Sequence, residues 1–380
     1  MSAGPLKDAV AFTLERPDRA ALEGQWRALE ARTDITFFLS WDWIGAWVDE
    51  AGMPDLVLAG RADGELVCLG LLRRSVDKRH RFVRSRTLNL HATGREDQDV
   101  IFIEYNGLLT DRRFGPLEAE AIAFLRSRKA EIGRFDEVSF GGFAEDRFEA
   151  VRDTGLRTHV HALKSTAFVD LQALREGGGE YLGTLSANTR QQIRRAVRIY
   201  EARGPLVLEP ARSVEEALVF FEAMGVLHEA AWRGKGDDGG AWRFPFLVAF
   251  HRRLIERCFA SGGVEIVRIS CGGEAIGYIH CLVRGGWIGS YLSGFAYEAD
   301  NKVKPGLVSF AMYIQHRLEI GGDVFDFLAG DHRYKTSLGT PGQRLYWFRV
   351  QEKRPQFLAE RGLRWVKQKV EQVRGSSGRT

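Results

Sequence analysis

Residues 321–339 read "GGDVFDFLAGDHRYKTSLG", and this stretch decides the fold. Its first part, DVFDFLAG (323–330), has the apolar density and length of a buried strand. Behind it come five polar or ionisable side chains, Asp331, His332, Arg333, Tyr334 and Lys335. Ligands in open α/β sheets settle beyond the carboxyl ends of strands, so this cluster reads as one side of a site. Upstream, 305–322 (PGLVSFAMYIQHRLEIGG) has helical spacing, with Pro305 in its first turn. Before that helix, 264–270, 275–283 and 287–295 form a β-meander with turns at Gly272-Gly273 and Gly285-Gly286. Two helices precede the meander. One spans 213–232, with Ser213 as N-cap and Glu216 three residues on; the other spans 244–263, closed by Gly262-Gly263. A helix that crosses from strand 287–295 to strand 323–330 requires those two strands to run parallel. Its N-terminus then faces the same strand ends, where free N–H groups and the helix dipole favour an anion. Lys302 and Lys304 flank that point.

The first half of the chain follows the same plan. Helices are expected over 17–32 and 40–52, and strands over 55–60 and 65–74 around Asp63-Gly64. DVIFIEYNGLL (99–109) reads as a further strand, 115–133 as a helix and FDEVSFGG (135–142) as a strand. Glu131-Ile132-Gly133 and Glu319-Ile320-Gly321 stand at the same step, each followed by a Phe-Asp pair. Matching letters in matching element order indicate an internal duplication. The halves meet near Gly177–Gly179, with a strand over 165–172 opening the second. The expected division is 1–164, 165–352 and a C-terminal segment, 353–380, made of a basic amphipathic helix and a disordered tail.

A chain of 380 residues fits two domains, and 44% hydrophobic residues supply their cores. The net charge of +4 permits an anionic ligand without demanding one. Cys68, Cys258, Cys271 and Cys281 form no CxxC pair, so zinc knuckles and a disulfide framework are not expected. They read as reduced core thiols of a soluble cytoplasmic protein. Neither a signal peptide nor a membrane-spanning segment is expected. His159 and His161 share a strand face but lack a nearby third ligand, so no metal site is assigned.

Three passages carry a resemblance: LSANTRQQIRRAVRIYEARG (185–204), LHEAAWRGKG (227–236) and DFLAGDHRYK (326–335). Together with the helix–helix–meander–helix–strand plan they resemble the Gcn5-related N-acetyltransferase (GNAT) superfamily. The tandem arrangement is similar to the Fem-type transferases and the BioF2-like acetyltransferases linked to cellulose and exopolysaccharide biosynthesis. The resemblance implies an α/β (α+β) fold of two tandem GNAT-like domains. Each would hold a mixed, mostly antiparallel sheet with one splayed parallel pair, flanked by helices. It also implies an acyltransferase that uses acyl-CoA, with acetyl-CoA first, and an amine or hydroxyl of a sugar or cell-envelope precursor as acceptor. One departure stands out. The superfamily's Arg/Gln-x-x-Gly-x-Gly/Ala loop is replaced by NKVKPGLV, which keeps only Gly306. Aminoacyl-tRNA therefore stays open as the donor, as does a non-catalytic scaffold in polysaccharide export.

Acyl transfer needs an acceptor stripped of a proton, a stabilised oxyanion and a protonated leaving group. Tyr334 is the candidate acid, Lys335 a neutralising charge, Asp331 an orienting group and His280, on the strand face of Tyr278, a candidate base. Lys302, Lys304, Gly306, Leu307 and Phe295 are the candidate donor contacts. His228 and Trp232 belong to the resembling motif and are assigned to substrate. Arg190 and Arg194 lie with Arg198 on one helical face, as a clamp for an anionic donor. Glu104, Tyr105 and Asn106, expected at the end of the equivalent strand in the first half, are assigned to the acceptor. His91 and Asp99 are expected in the loop before that strand.

Overall fold

Asp63-Gly64 and Gly272-Gly273 turn the chain as two-residue hairpins, both residues of each pair at positive φ (49° and 80°; 58° and 91°). That backbone suits glycine and aspartate and matches the twist of the strands it joins. The computed structural model describes residues 9–79, 83–233, 240–330 and 332–362. Within them, β1 (Ala11–Glu15), β2 (Leu56–Ala62), β3 (Glu65–Arg79), β4 (Val83–Leu90), β5 (Leu109–Thr110) and β6 (Glu137–Ala144) come from the first half. β7 (Thr158–Asp170) links the halves. The second half adds β8 (Leu206–Pro210), β9 (Val264–Cys271), β10 (Glu274–Arg284), β11 (Trp287–Phe295), β12 (Val324–Asp326) and β13 (Thr340–Gln351). Among the described residues they form one sheet in the order β1-β2-β3-β4-β6-β13-β7-β12-β11-β10-β9-β8, with β5 beside β3.

Read outward from its centre, that order is the same in both directions. β2-β3-β4-β6 on one side correspond to β9-β10-β11-β12 on the other. Each side has one parallel pair, β4 with β6 and β11 with β12, and all other neighbours are antiparallel. The two innermost strands are exchanged. β7 follows the first half in sequence but pairs with β12; β13 follows the second half but pairs with β6. β7 and β13 then pair with each other, antiparallel. The expected boundary at 164/165 therefore falls inside β7, and strand 345–351, counted with the second half, lies against the first.

The helices repeat the symmetry. Trp41–Ala51 starts at Ser40, whose Oγ accepts the Trp43 N–H, and it packs against Pro245–Cys258, its counterpart in the second half. Trp43 meets Phe250 edge to face, ring centroids 4.7 Å apart. Trp26, Trp41, Phe37, Phe38, Phe221, Leu254 and Ile255 share this core, so the halves bury apolar surface on each other. Burying each such aromatic stabilises the assembly by about 2–3 kcal/mol.

Several expectations fail for local reasons. Residues 99–108 are not a strand. The third meander strand of the first half is β4, whose VRSRTLNL pattern hides it: Arg84 and Arg86 point outward, while buried Ser85 and Thr87 donate to Glu137. The strand expected over 323–330 shortens to Val324–Asp326. Tyr334 and Lys335 stand on a short helix, Arg333–Leu338, rather than in a loop. Residues 355–362 are helical; the rest of the expected C-terminal helix and tail, 363–380, lies outside the described residues.

Residues 103–108 instead close the first half's parallel pair. β4 and β6 touch only over Thr87–Asn89 and Glu137–Ser139. Beyond that, Asn106 bridges Phe143 in parallel, and its N–H donates to the Gly142 carbonyl at 3.0 Å. Its Oδ1 lies 2.8 Å from Nδ1 of His91, which directly follows β4. Gly142, at φ 69°, lets this segment approach: a Cβ there would stand 2.3 Å from the Ile103 carbonyl oxygen. Gly142→Ala should lower unfolding free energy by about 2–4 kcal/mol in urea titration. Gly133→Ala, at φ 81° with open space around it, isolates the backbone cost and should lose only about 1 kcal/mol.

Candidate active site

β11 and β12 pair in parallel over three residues, Trp287–Gly289 against Val324–Asp326, and then separate. β11 stays with β10, and the register skips Tyr291, which forms a bulge. The chain after β12 bends toward β7: Phe327 N–H donates to the Ala167 carbonyl (2.8 Å) and Gly330 N–H to that of Ser165 (3.1 Å). Leu328 takes a left-handed conformation, φ 60°, with its N–H held by Asp326 Oδ1 at 2.7 Å. A cleft of about 1620 Å³ opens between the diverging strands. Residues 290–295 of β11 form one wall, 328–330 and the helix Arg333–Leu338 another, and the first half contributes Val100, Phe102 and Glu104.

The helix Pro305–Glu319 points its N-terminus into this cleft through Lys304, Gly306 and Leu307. Its first-turn N–H groups have no acceptor within the helix. Phe295 packs beneath: a Cβ on Gly306 would meet its ring at 3.3 Å. Lys302 is exposed and does not line the cleft. Tyr334 lines it, stacked on Phe310 with centroids 5.6 Å apart, and burial pushes its hydroxyl well above the usual tyrosine range. Lys335, only 7% exposed, donates to the carbonyls of Leu328 (3.2 Å) and Ala329 (2.7 Å). The lysine thus pins the loop behind the splayed strand. Asp331 lies outside the described residues.

His280 is placed elsewhere. It is fully buried in the core, its Nε2 3.1 Å from Nδ1 of equally buried His251, and burial pushes it down to about 4. Strand alternation put it on a face, but the helices packed over that face leave it no path to the cleft. His228 lines the cleft but has both ring nitrogens occupied, by the Ser293 carbonyl (3.0 Å) and the Ala241 N–H (3.2 Å). It ties the helix Val214–Trp232 to β11. Trp232 lines the cleft beside it. Arg190 reaches back to the carbonyls of Leu182, Gly183 and Leu185, closing the preceding turn. Arg194 is exposed and outside the cleft lining.

The first half supplies the buried charge. Glu104, 7% exposed, accepts the Ala329 N–H through Oε2 at 2.7 Å. Burial and nearby Asp326 push its carboxyl up to about 7, against the pull of Lys335 and Lys164. Tyr105, at φ 50°, donates its hydroxyl to Asp326 Oδ2, which also accepts Trp287 Nε1–H at 3.3 Å. Burial raises the Asp326 carboxyl as well. Asn106 is buried in the closing segment and does not reach the cleft. Two non-glycine residues in left-handed backbone, Tyr105 and Leu328, therefore join the same cluster, and such strain concentrates at functional sites. Asp326, Tyr291, Phe102, Lys164 and Trp347 were not singled out from sequence. Two signals pointed to Asp326, the Phe-Asp pair repeated in both halves and its place at the head of DFLAGDHRYK (326–335).

Among the described residues no group of three His, Cys, Asp or Glu side chains is placed to hold a metal, and no helix is long and apolar enough to cross a membrane. The four cysteines are buried and free.

Because the Glu104 carboxyl is raised on folding, the folded state binds the extra proton. Stability is retained below the ordinary carboxyl range and lost as pH climbs through about 7. Glu104→Gln keeps an acceptor for the Ala329 N–H and removes the charge. It should be more stable than the parent by about 1–3 kcal/mol at pH 8 and equal to it at pH 4, read by thermal unfolding.

Residues 187–336 match the family model described as acetyltransferase (GNAT) domain. Comparison with curated proteins finds no match. Among solved structures, FemX superposes with a TM-score of 0.55 at 10% identity, covering 91% of this chain and 99% of that one. The C-terminal domain of a protein assigned as lysylphosphatidylglycerol synthetase from Agrobacterium fabrum gives 0.52 at 14%, covering 90% and 95%. A conserved protein of unknown function from Bacteroides thetaiotaomicron gives 0.50 at 11%, covering 90% and 100%. At such identities the likeness is one of fold. The chain thus has the GNAT-superfamily fold in a Fem-like form, and its residues 187–336 are the part that matches the GNAT acetyltransferase domain.

Proposed function

We propose that this chain is an acyltransferase that moves an acyl group, acetyl from acetyl-CoA first, to an amine or hydroxyl of a sugar or cell-envelope precursor. The observation that carries the reading is the splayed β11/β12 pair, opening into a cleft with a helix N-terminus at its rim and buried carboxyl chemistry opposite. On this reading the donor's phosphates sit at Gly306 and Leu307 beside Lys304, and its acyl arm runs along residues 291–295, whose β12-facing side has no strand partner. Tyr334 protonates the leaving sulfur. Lys335 holds the loop that shapes the slot, and no metal is required, since a thioester reacts by proximity and proton transfer. A saccharide acceptor is supported by Phe102 and Trp347, which line the cleft on either side of Lys164, its ammonium 5.0 and 5.4 Å from their ring centroids. Aromatic faces beside a cation suit an anionic or hydroxyl-rich ring. The reduced cysteines fit a cytoplasmic setting.

One observation favours a second donor, aminoacyl-tRNA. Arg194, Arg195 and Arg198 are exposed and make no ion pair among the described residues, on a helix whose first turn lines the cleft. A phosphate backbone laid there would show steep salt dependence.

Calorimetric titration separates the two: acetyl-CoA should bind, while tRNA binding should be weak and salt-insensitive. The opposite result moves the assignment to the tRNA donor, and capture of neither favours a scaffold. Tyr334→Phe should lower acetyl-CoA thiol release about 10- to 100-fold and change donor affinity less than about twofold. Unchanged release removes Tyr334 from the chemistry.

A further inference from the structure

The two halves treat their parallel pairs in opposite ways. In the second, the strands part and leave a cleft. In the first, residues 103–108 fill the corresponding slot through the Asn106–Phe143 bridge, the Asn106 N–H on Gly142 and the His91–Asn106 contact. Gly142 permits this approach only because it lacks a side chain. The first half therefore offers no donor slot of its own. The segment that closes it does not stop there. Its leading residues cross to the second half, where Glu104 takes the Ala329 N–H and Tyr105 takes Asp326.

We propose that Glu104 is the base that deprotonates the acceptor in the second half's cleft, carried across the interface by the segment that closes the first half's own slot. The inference rests on the acyltransferase reading above. Geometry selects Glu104 over its neighbours. Asp326 does not line the cleft, and its oxygens are taken by Tyr105, Trp287 and the Leu328 N–H. His280 is locked against His251, and His228 has both nitrogens occupied. Glu104 lines the cleft, has Oε2 fixed by one backbone donor, and makes no hydrogen bond through Oε1 among the described residues. A single anchored oxygen orients the carboxylate and leaves the other for the acceptor.

A hydroxyl, or an amine in its neutral form, gives its proton to Glu104 as its lone pair forms a bond to the thioester carbonyl carbon. The tetrahedral intermediate collapses, the C–S bond breaks, and sulfur leaves with the electron pair. Sulfur takes up a proton from Tyr334, which regains one from water, and Glu104 releases its own to water. Thioester plus acceptor give acylated acceptor plus free thiol. The groups around Glu104 suit the task. Burial and Asp326 raise its basicity; Lys335, from the helix behind the loop, and Lys164, from β7, limit the rise. Tyr105 and Tyr291 are held neutral by burial. Asp326 and Tyr105 act as positioning residues.

The test uses the intact protein with acetyl-CoA, glucosamine and water as acceptors, and reads thiol release. Glu104→Gln should bind acetyl-CoA within about twofold of the parent, release thiol about 100- to 1000-fold more slowly, and lose the acidic limb of the pH–rate profile. Glu104→Ala should regain part of its rate with added formate, which a purely structural role would not give. A Glu104→Gln rate within threefold of the parent, with the acidic limb intact, overturns the proposal; if His332→Asn then removes that limb, the base is His332. If the parent binds no acetyl-CoA or releases no thiol, the donor or acceptor reading fails by itself. Glu104 is then judged by carbon-13 NMR of labelled glutamate carboxyls. A resonance titrating near neutrality and absent in Glu104→Gln supports the assignment; one that stays ionised below pH 5 overturns it.

Discussion

The antiparallel pairing of β7 with β13 is the contact on which everything else rests. Each strand leaves the half that precedes it in sequence and completes the other. That exchange makes one sheet of two, so neither half can shift its register alone. Register is fixed by charge as well as by hydrogen bonds. Arg349 and Gln351 of β13 reach buried Glu137 of β6, which also accepts from Arg79, Ser85 and Thr87. Burial works against that carboxylate, yet its cationic partners hold it below the usual range. A one-residue slip would strand those groups without partners, a cost of several kcal/mol.

Exchange also sets the distance between the halves at the site. Because β7 lies beside β12, the loop after β12 follows β7 rather than β11. The slot opens on that side, and the first half's closing segment meets it there. The polar cluster that results is costly. It buries two carboxyls of like charge, Glu104 and Asp326, beside two residues in left-handed backbone. The large aromatic core shared by the second helices of both halves offsets this cost. Stability is thus drawn from one face of the interface and spent on the other.

Much of this was legible in the residues. The glycine-paired turns, the meander of the second half, the crossover helix behind Pro305 and the parallel strands it demands were all read directly. Tyr334, Lys335, Gly306 and Glu104 were singled out and do line one cleft. What escaped has a common cause: the pattern at a residue did not reveal its partner. β4 hid because its buried serine and threonine look like loop residues until Glu137 is placed against them. Residues 99–109 read as a strand because Ile101, Ile103, Leu108 and Leu109 give it a strand's apolar pattern; all four are buried, but 103–108 plug a slot while Leu109 pairs with Leu69 in a ladder. His280 looked available because alternation assigns a face but not what covers it.

Local sequence by itself determined the second half's meander and crossover helix, the plan repeated in both halves and the direction of the splayed strands, because period, turn chemistry and connection handedness are short-range properties. Only the tertiary structure decided which half receives each central strand, which of the two slots stays open and which carboxyl reaches it. The strand exchange and the reach of Glu104 depend on contacts between residues more than 150 positions apart, such as Glu104 with Ala329 and Tyr105 with Asp326, and the closed slot on the nearer Asn106–Phe143 and His91–Asn106 contacts. No stretch of chain encodes such contacts alone.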